Sequence, residues 1–225
     1  MLAKVTSCAV VGLDGALVDV EVDISNGQPG TTIVGLPDAA VQESRERIRA
    51  AIKNSSLAFP WGKRITINLA PADLRKEGPA YDLPMAVGLL LASEQIRSDL
   101  SRTLIIGELS LDGMVRHTNG VLSMAALARE RGFDTLLVPA SDAPEAALVP
   151  DVNVIPIETL FALVAHLNGL QPIAPYQAAQ SLNDSATYTA DFSEVRGQEH
   201  VKRALEIAAA GQHNVFILWT KSHTF

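Results

Sequence analysis

A chain of 225 residues that is 48% hydrophobic holds enough apolar material for one sizeable core, or for a core and a smaller piece. Its longest uncharged apolar stretch, LPMAVGLLLAS between Asp82 and Glu94, is far shorter than the roughly 20 residues a membrane-spanning helix needs, so the expectation is a cytoplasmic protein without membrane contact. The net charge of −7 argues against nucleic acid only if it is evenly spread, and it is not: Arg45 to Lys76 carries eight basic residues against Glu46 and Asp73, a local +6 that leaves −13 for the rest.

The opening third alternates in the manner of an antiparallel sheet. ALVDVEVDI sets Leu17, Val20, Val22 and Ile24 among acids, and TTIVGL is β-branched and ends in Gly35. LPDAAVQESRERIRAAIKNS then reads as a helix: Pro37 suits a first turn, Asp38 suits the positive dipole end, and Val41, Ile48, Ala51 and Ile52 line one face. The arginines take the other face. RITINLA is the next strand, followed after PADLR by KEGPAYDLP, whose Gly78-Pro79 has the look of an active-site turn. Leu83 to Ser93 is apolar nearly all round, which predicts a helix buried in the middle of the domain.

TLIIGELSLDGMVR reads as a strand pair about Asp112-Gly113, a common tight-hairpin signal. A helix, GVLSMAALARERG, should be capped at Gly132. TLLVP, SDAPEAAL, VNVIPI and ETLFALVAHLNG continue an alternation of strands and helices. An antiparallel first half and an alternating second half together predict an α/β sandwich, in the α+β sense, rather than a doubly wound dinucleotide fold; no G-x-G-x-x-G occurs. From Leu170 to Ala190 the chain is rich in Pro, Gln, Ser and Asn and reads as a linker. Beyond it come a helix from about Gln198 to Ala210, an apolar strand in HNVFIL, and WTKSHTF.

Familiar catalytic patterns are missing from the sequence. There is no G-x-S-x-G, no S-x-x-K and no H-E-x-x-H, and the five histidines never fall at i, i+4 spacing, so no metal site is expected. Cys8, the single cysteine, reads as a small buried hydrophobe. Asp73, Glu77 and Asp82 flank the Gly-Pro turn and are available for acid/base work only if the fold gathers them. A phosphate loop ending at Lys221-Ser222 would require glycine at positions 215 and 220, which are Val215 and Thr220.

Three long segments, GLPDAAVQESRERIRAAIKNS, ITINLAPADLRKEGPAYDLPMAVGLL and GELSLDGMVRHTNGVL, closely resemble the N-terminal domain of the ComM/YifB family of magnesium-chelatase ChlI-like AAA+ ATPases, over Met1 to about Leu218. The resemblance implies a Lon-protease-like fold, that of ribosomal protein S5 domain 2, over residues 1–169, a linker at 170–190 and a truncated beginning of a P-loop AAA+ module at 191–225. It also implies a family role in DNA branch migration during natural transformation, with ATP and magnesium used by intact members and with other subunits of a ring as partners. In Lon-type peptidases a Gly-Pro-Ser supplies the nucleophile and a lysine assists; alignment to that pattern puts Ala80 and Leu122 at the two positions. A methyl and an isobutyl group can supply neither hydroxyl nor amine, so no catalytic residue is expected. Val195, Arg196 and Gly197 match the family's adenine-side segment without any phosphate contacts to accompany them.

The leading expectation is therefore a non-catalytic domain whose turn keeps its shape. Arg45, Arg47, Arg49, Lys53, Arg75 and Lys76 are the candidates for contact with DNA or a neighbouring subunit. Two alternatives remain open: an active ATPase or helicase whose nucleotide site a partner supplies, and a peptidase with another nucleophile such as Ser123. The run into WTKSHTF is expected to reflect a shifted frame or a premature end.

Overall fold

The computed structural model describes residues 2–12, 14–177, 191–211 and 213–218, in two compact units, Met1–Ala179 and Gln180–Phe225. The larger unit is built on one mixed sheet. Its strands are β1 (Leu2–Val11), β2 (Asp14–Ser25), β3 (Gly30–Val34), β4 (Arg64–Ala70), β5 (Thr103–Ile105), β8 (Thr135–Pro139) and β9 (Asn153–Ile157), in the order β3-β4-β2-β1-β5-β8-β9. A separate ribbon pairs β6 (Glu108–Leu109) with β7 (Val115–Arg116). The helices are α1 (Ala39–Asn54), α2 (Asp82–Ala92), α3 (Val121–Glu130), the single turn α4 (Ala143–Ala146) and α5 (Leu160–Leu167).

The strand patterns explain which faces are covered. Along β2 only every second residue, Val18, Val20 and Val22, is buried, and the register sets Val20 against Leu69 and Val22 against Ile67 of β4. Past Leu17, which packs against the second core, the opposite face is polar, with Lys4 on Asp19 (2.8 Å) and Asn68 on Glu21 (2.8 Å). This is the one-sided burial typical of antiparallel strands. The parallel end differs: Ile105, Leu137 and Ile155 join a core shared with α1, α2 and α5, whereas Leu104, Leu136 and Val154 join a second core under α3 and α4. α2 lies against the first face and is buried all round, as its sequence predicts. Its Gly88 permits the approach, since a Cβ there would sit 2.8 Å from a methyl of Val22.

Two strand expectations are corrected. β3 is not antiparallel; it pairs with β4 in parallel, Thr31 opposite Ile65, because a 16-residue helix connects the two and carries the chain back to the starting edge. TLIIGEL is not one arm of a hairpin either. The chain turns at Gly107, so β5 enters the large sheet and only Glu108–Leu109 reaches the ribbon, which closes through Ser110 and Met114 (3.0 Å) around Asp112-Gly113.

α1 starts at Ala39, two residues later than Pro37 suggests. Asp38 is its N-cap and accepts the N–H of Val41 (2.8 Å). Part of the segment read as linker docks on the larger unit: the N–H of Tyr176 donates to the carbonyl of Val154 (2.7 Å) and that of Ile173 to Nδ1 of His166 (2.9 Å). Residues 178–190 lie outside those described. In the smaller unit a helix, α6 (Glu199–Gly211), forms close to its predicted position, with ion pairs Lys202–Glu199 (3.3 Å) and Arg203–Glu206 (3.1 Å). The expected strand in HNVFIL is absent: His213–Leu218 has no ladder partner among the described residues, and a strand exists only by hydrogen bonding to a neighbour.

Candidate functional site

The Gly-Pro turn is fixed from three sides. Asp38, besides capping α1, accepts the N–H of Gly78 at its other carboxylate oxygen (3.1 Å). The N–H of Gly107 donates to the carbonyl of Ala80 (3.0 Å), and that of Leu83 donates to the carbonyl of Gly107 (3.0 Å). Gly78 has φ +78° and ψ 173°, a conformation that favours glycine, and Pro79 begins a short 3-10 turn that feeds α2. The result is a small cleft of about 240 Å³ lined by residues 77–81 of the turn, by Cys8 and Ala9 of β1, and by His117, Thr118 and Met124.

Ala80 lines this cleft, but Leu122 does not: it is half exposed, and its backbone N–H donates to Glu145 (3.1 Å). The structure thus does not bring the two peptidase-aligned positions together as a pair of cleft-lining side chains. Nor are the Cys8 thiol and the Tyr81 phenol activated for attack. Burial pushes the Cys8 thiol up to about 11, and Sγ donates to the carbonyl of Ala9 (3.2 Å). Burial also raises the Tyr81 phenol. Ser123 does not line the cleft. Asp73, Glu77 and Asp82 do not converge: Asp73 is exposed, Glu77 pairs with Arg75 (3.2 Å), and Asp82 is buried elsewhere.

One pair at this cleft went unread in the sequence. Nδ1 of His117 donates to Asp142 (2.6 Å), which is itself buried and also accepts the N–H of Thr118 (2.8 Å). The hydrogen bond to Asp142, then its charge, holds the imidazole pKa above its ordinary value. The residues are 25 apart in the chain, so no local spacing announced them.

The basic residues separate into two groups. Lys76 is fully buried and donates to the carbonyl of Pro71, and burial lowers its pKa. Arg47 is turned inward: Nε reaches Asp82 at 2.7 Å and Nη2 at 3.1 Å, and Nη2 also meets the carbonyl of Ala40 (3.0 Å) and the hydroxyl of Ser44 (2.9 Å). Asp82 further accepts the Ser44 hydroxyl and the N–H of Leu109 (3.3 Å). Arg47, through Asp82, ties the start of α2 to α1 and to the ribbon, Lys76 ties the turn back to Pro71, and neither charge is presented to a ligand. The i−3/i+4 relation of Arg47 to the buried Ser44 and Ala51 was the available signal.

Arg45, Arg49 and Lys53 are exposed, one turn apart on α1, and form a ridge. Arg75 is exposed at a different place and is paired with Glu77. Beside the ridge runs a groove of about 460 Å³ whose walls are Arg45 and Arg49 from α1, Phe59, Trp61 and Lys63 from the loop before β4, and Gly30 and Thr31 from β3. Val195, Arg196 and Gly197 are exposed just ahead of α6. Among the described residues no three His, Cys, Asp or Glu side chains gather into a metal site, and no helix is long and apolar enough to cross a membrane.

Residues 20–142 match the family described as subunit ChlI of Mg-chelatase, and residues 191–221 match a second description, magnesium chelatase, subunit ChlI. The chain belongs to the ChlI family, in its ComM/YifB group. It is 45% identical over 221 residues to competence protein ComM of Haemophilus influenzae, covering 96% of this chain and 43% of that protein. To the YifB protein of Salmonella typhimurium it is 44% identical over 222 residues, covering 96% and 42%. A Lon protease of Mycolicibacterium smegmatis is 27% identical over 152 residues, 64% of this chain and 19% of the protease, in keeping with a Lon-like arrangement of the mixed sheet. The chain thus spans about two fifths of the length of the ComM and YifB relatives.

Proposed function

We propose that the larger unit is a non-catalytic, Lon-like domain of a ComM/YifB-type AAA+ protein, and that it contacts DNA during the branch migration implied for this family. The observation that carries the reading is the exposed ridge Arg45–Arg49–Lys53 in a chain whose net charge is −7. Lys63 lies exposed on the opposite wall of the groove and extends the same cationic face. Arg47 and Lys76 leave the list of contacts because their charges are consumed inside the fold. Arg75, tied to Glu77, contributes weakly. Phosphate contacts made this way give affinity without sequence preference.

The absence of a hydroxyl at position 80, with Leu122 turned away from the cleft, supports a domain that does not cleave peptides. ATP and magnesium belong to intact family members. Among the described residues Val195, Arg196 and Gly197 would give at most an adenine-side contact, and no three His, Cys, Asp or Glu side chains gather to hold a metal ion.

The test is a filter-binding titration of the purified chain with a short duplex at rising salt. With about three to four phosphates neutralised, the slope of log K against log salt should be about −3 to −4. The triple variant Arg45→Glu, Arg49→Glu, Lys53→Glu should abolish binding while leaving the circular-dichroism spectrum unchanged. No affinity at low salt, or an affinity indifferent to salt, overturns the reading.

A further inference from the structure

Trp61 is 58% exposed, although its neighbour in the same loop, Phe59, is half-buried against the core of the larger unit. Their ring centroids lie 5.0 Å apart at a tilt of 58°. Phe59 therefore anchors the loop, and the fold does not require the larger ring beside it. The loop is also held in shape. Gln95 clamps Ala58 with two bonds, accepting its N–H (2.8 Å) and donating to its carbonyl (2.7 Å). The N–H of Trp61 donates to the carbonyl of Phe59 (2.8 Å), and the carbonyl of Lys63 accepts the N–H of Gly30 from β3 (3.2 Å). An exposed aromatic on a clamped loop is costly to water and already ordered for a ligand.

The charges around it point to an anion. Arg49 places its guanidinium 4.5 Å from the Trp61 ring centroid. Arg45, one turn earlier, and Lys63 stand on the two walls of the groove. Nε of Arg45 donates to the carbonyl of Gln42 (3.1 Å) and Nζ of Lys63 to the side-chain carbonyl of Asn26 (2.7 Å). Both partners are neutral, so neither positive charge is cancelled by them. Three cations line the groove against one acid, Glu46, which sits 3.9 Å from Arg49. Its volume of about 460 Å³ lies within the roughly 300–1,000 Å³ usual for ligand sites.

We infer that this groove binds single-stranded DNA, with an unpaired base stacked on Trp61 and the adjoining phosphates held by Arg45, Arg49 and Lys63. The inference rests on the DNA-contact reading above and deepens it. A duplex presents its phosphates to the ridge but keeps its base faces stacked inside; only an unpaired strand can give a base face to Trp61. The site is sequence-tolerant, because every base has such a face, and salt-sensitive, because the backbone is held by charge.

The experiment uses the full chain carrying Trp219→Phe, which leaves Trp61 as the single tryptophan. It is titrated with a dye-labelled twelve-nucleotide oligo-dT and, separately, with a twelve-base-pair duplex, reading dye anisotropy and tryptophan emission. Oligo-dT is expected to quench Trp61 and the duplex is not. Trp61→Ala should weaken oligo-dT binding about tenfold with duplex binding unchanged, and Trp61→Phe should keep most of the affinity. Arg45→Glu with Lys63→Glu should weaken both and flatten the salt slope. Oligo-dT binding that Trp61→Ala leaves intact, without quenching, overturns this inference and leaves the cationic ridge standing. Failure of both nucleic acids to bind at low salt overturns the two together.

Discussion

Removal of the Asp82 carboxylate tests the account of why Arg47 is unavailable to a ligand. Asp82 is wholly buried and accepts from Arg47, from the Ser44 hydroxyl and from the Leu109 N–H, joining α1, α2 and the ribbon at one point. In Asp82→Ala the guanidinium loses its partner, which for buried pairs costs about 3–5 kcal/mol. Arg47 keeps about a fifth of its side chain in water and can partly rehydrate, so the lower end of about 3 kcal/mol applies. The Ser44 hydroxyl and the Leu109 N–H are left without this acceptor and add about 1 kcal/mol between them after relaxation. A total of about 4 kcal/mol corresponds to a fall of about 8–16 °C in Tm for a domain of this size. Urea and thermal unfolding at pH 7, followed by far-ultraviolet circular dichroism, measure it. Arg47→Met combined with Asp82→Leu should recover most of the loss, because no charge is then buried unpaired. A loss below about 1 kcal/mol in Asp82→Ala would refute the reasoning.

His117 gives a pH prediction. Its folded pKa is raised by Asp142, so the ion pair contributes stability that is fully present below the unfolded value, about 6.5, and fades as pH rises through the folded one. A chemical-shift titration should place the imidazole midpoint above about 6.5, and Asp142→Asn should bring it back down; a wild-type midpoint at or below the ordinary value contradicts the pairing. Gly35→Ala should destabilise the larger unit by at least about 2 kcal/mol, since φ is +99° and the new Cβ would stand 2.1 Å from the carbonyl oxygen of Leu69. A urea midpoint at or above that of the wild type would show that the β3–β4 edge relaxes freely.

Much of the fold was legible because its signals are local. Alternation set β2 and β4, the all-round apolar run set α2, Pro37 and Asp38 located the start of α1 to within two residues, and Asp112-Gly113 set the ribbon turn. Strand partners were less so: the parallel entry of β3 and the division at Gly107 depend on what the returning chain meets, and period-two alternation carries no partner information.

The sequence by itself determined that positions 80 and 122 hold a methyl and an isobutyl group, that Val215 and Thr220 stand where a phosphate loop needs glycine, and that positive charge concentrates between Arg45 and Lys76. Only the tertiary structure decided which of those charges meet solvent. Arg47 and Lys76 are drawn in by Asp82 and the carbonyl of Pro71, while Arg45, Arg49 and Lys63 stay out beside Trp61. The reason is physical: a charge is part of the composition, but its hydration and its partner are set by burial, and burial is fixed only when distant segments pack together.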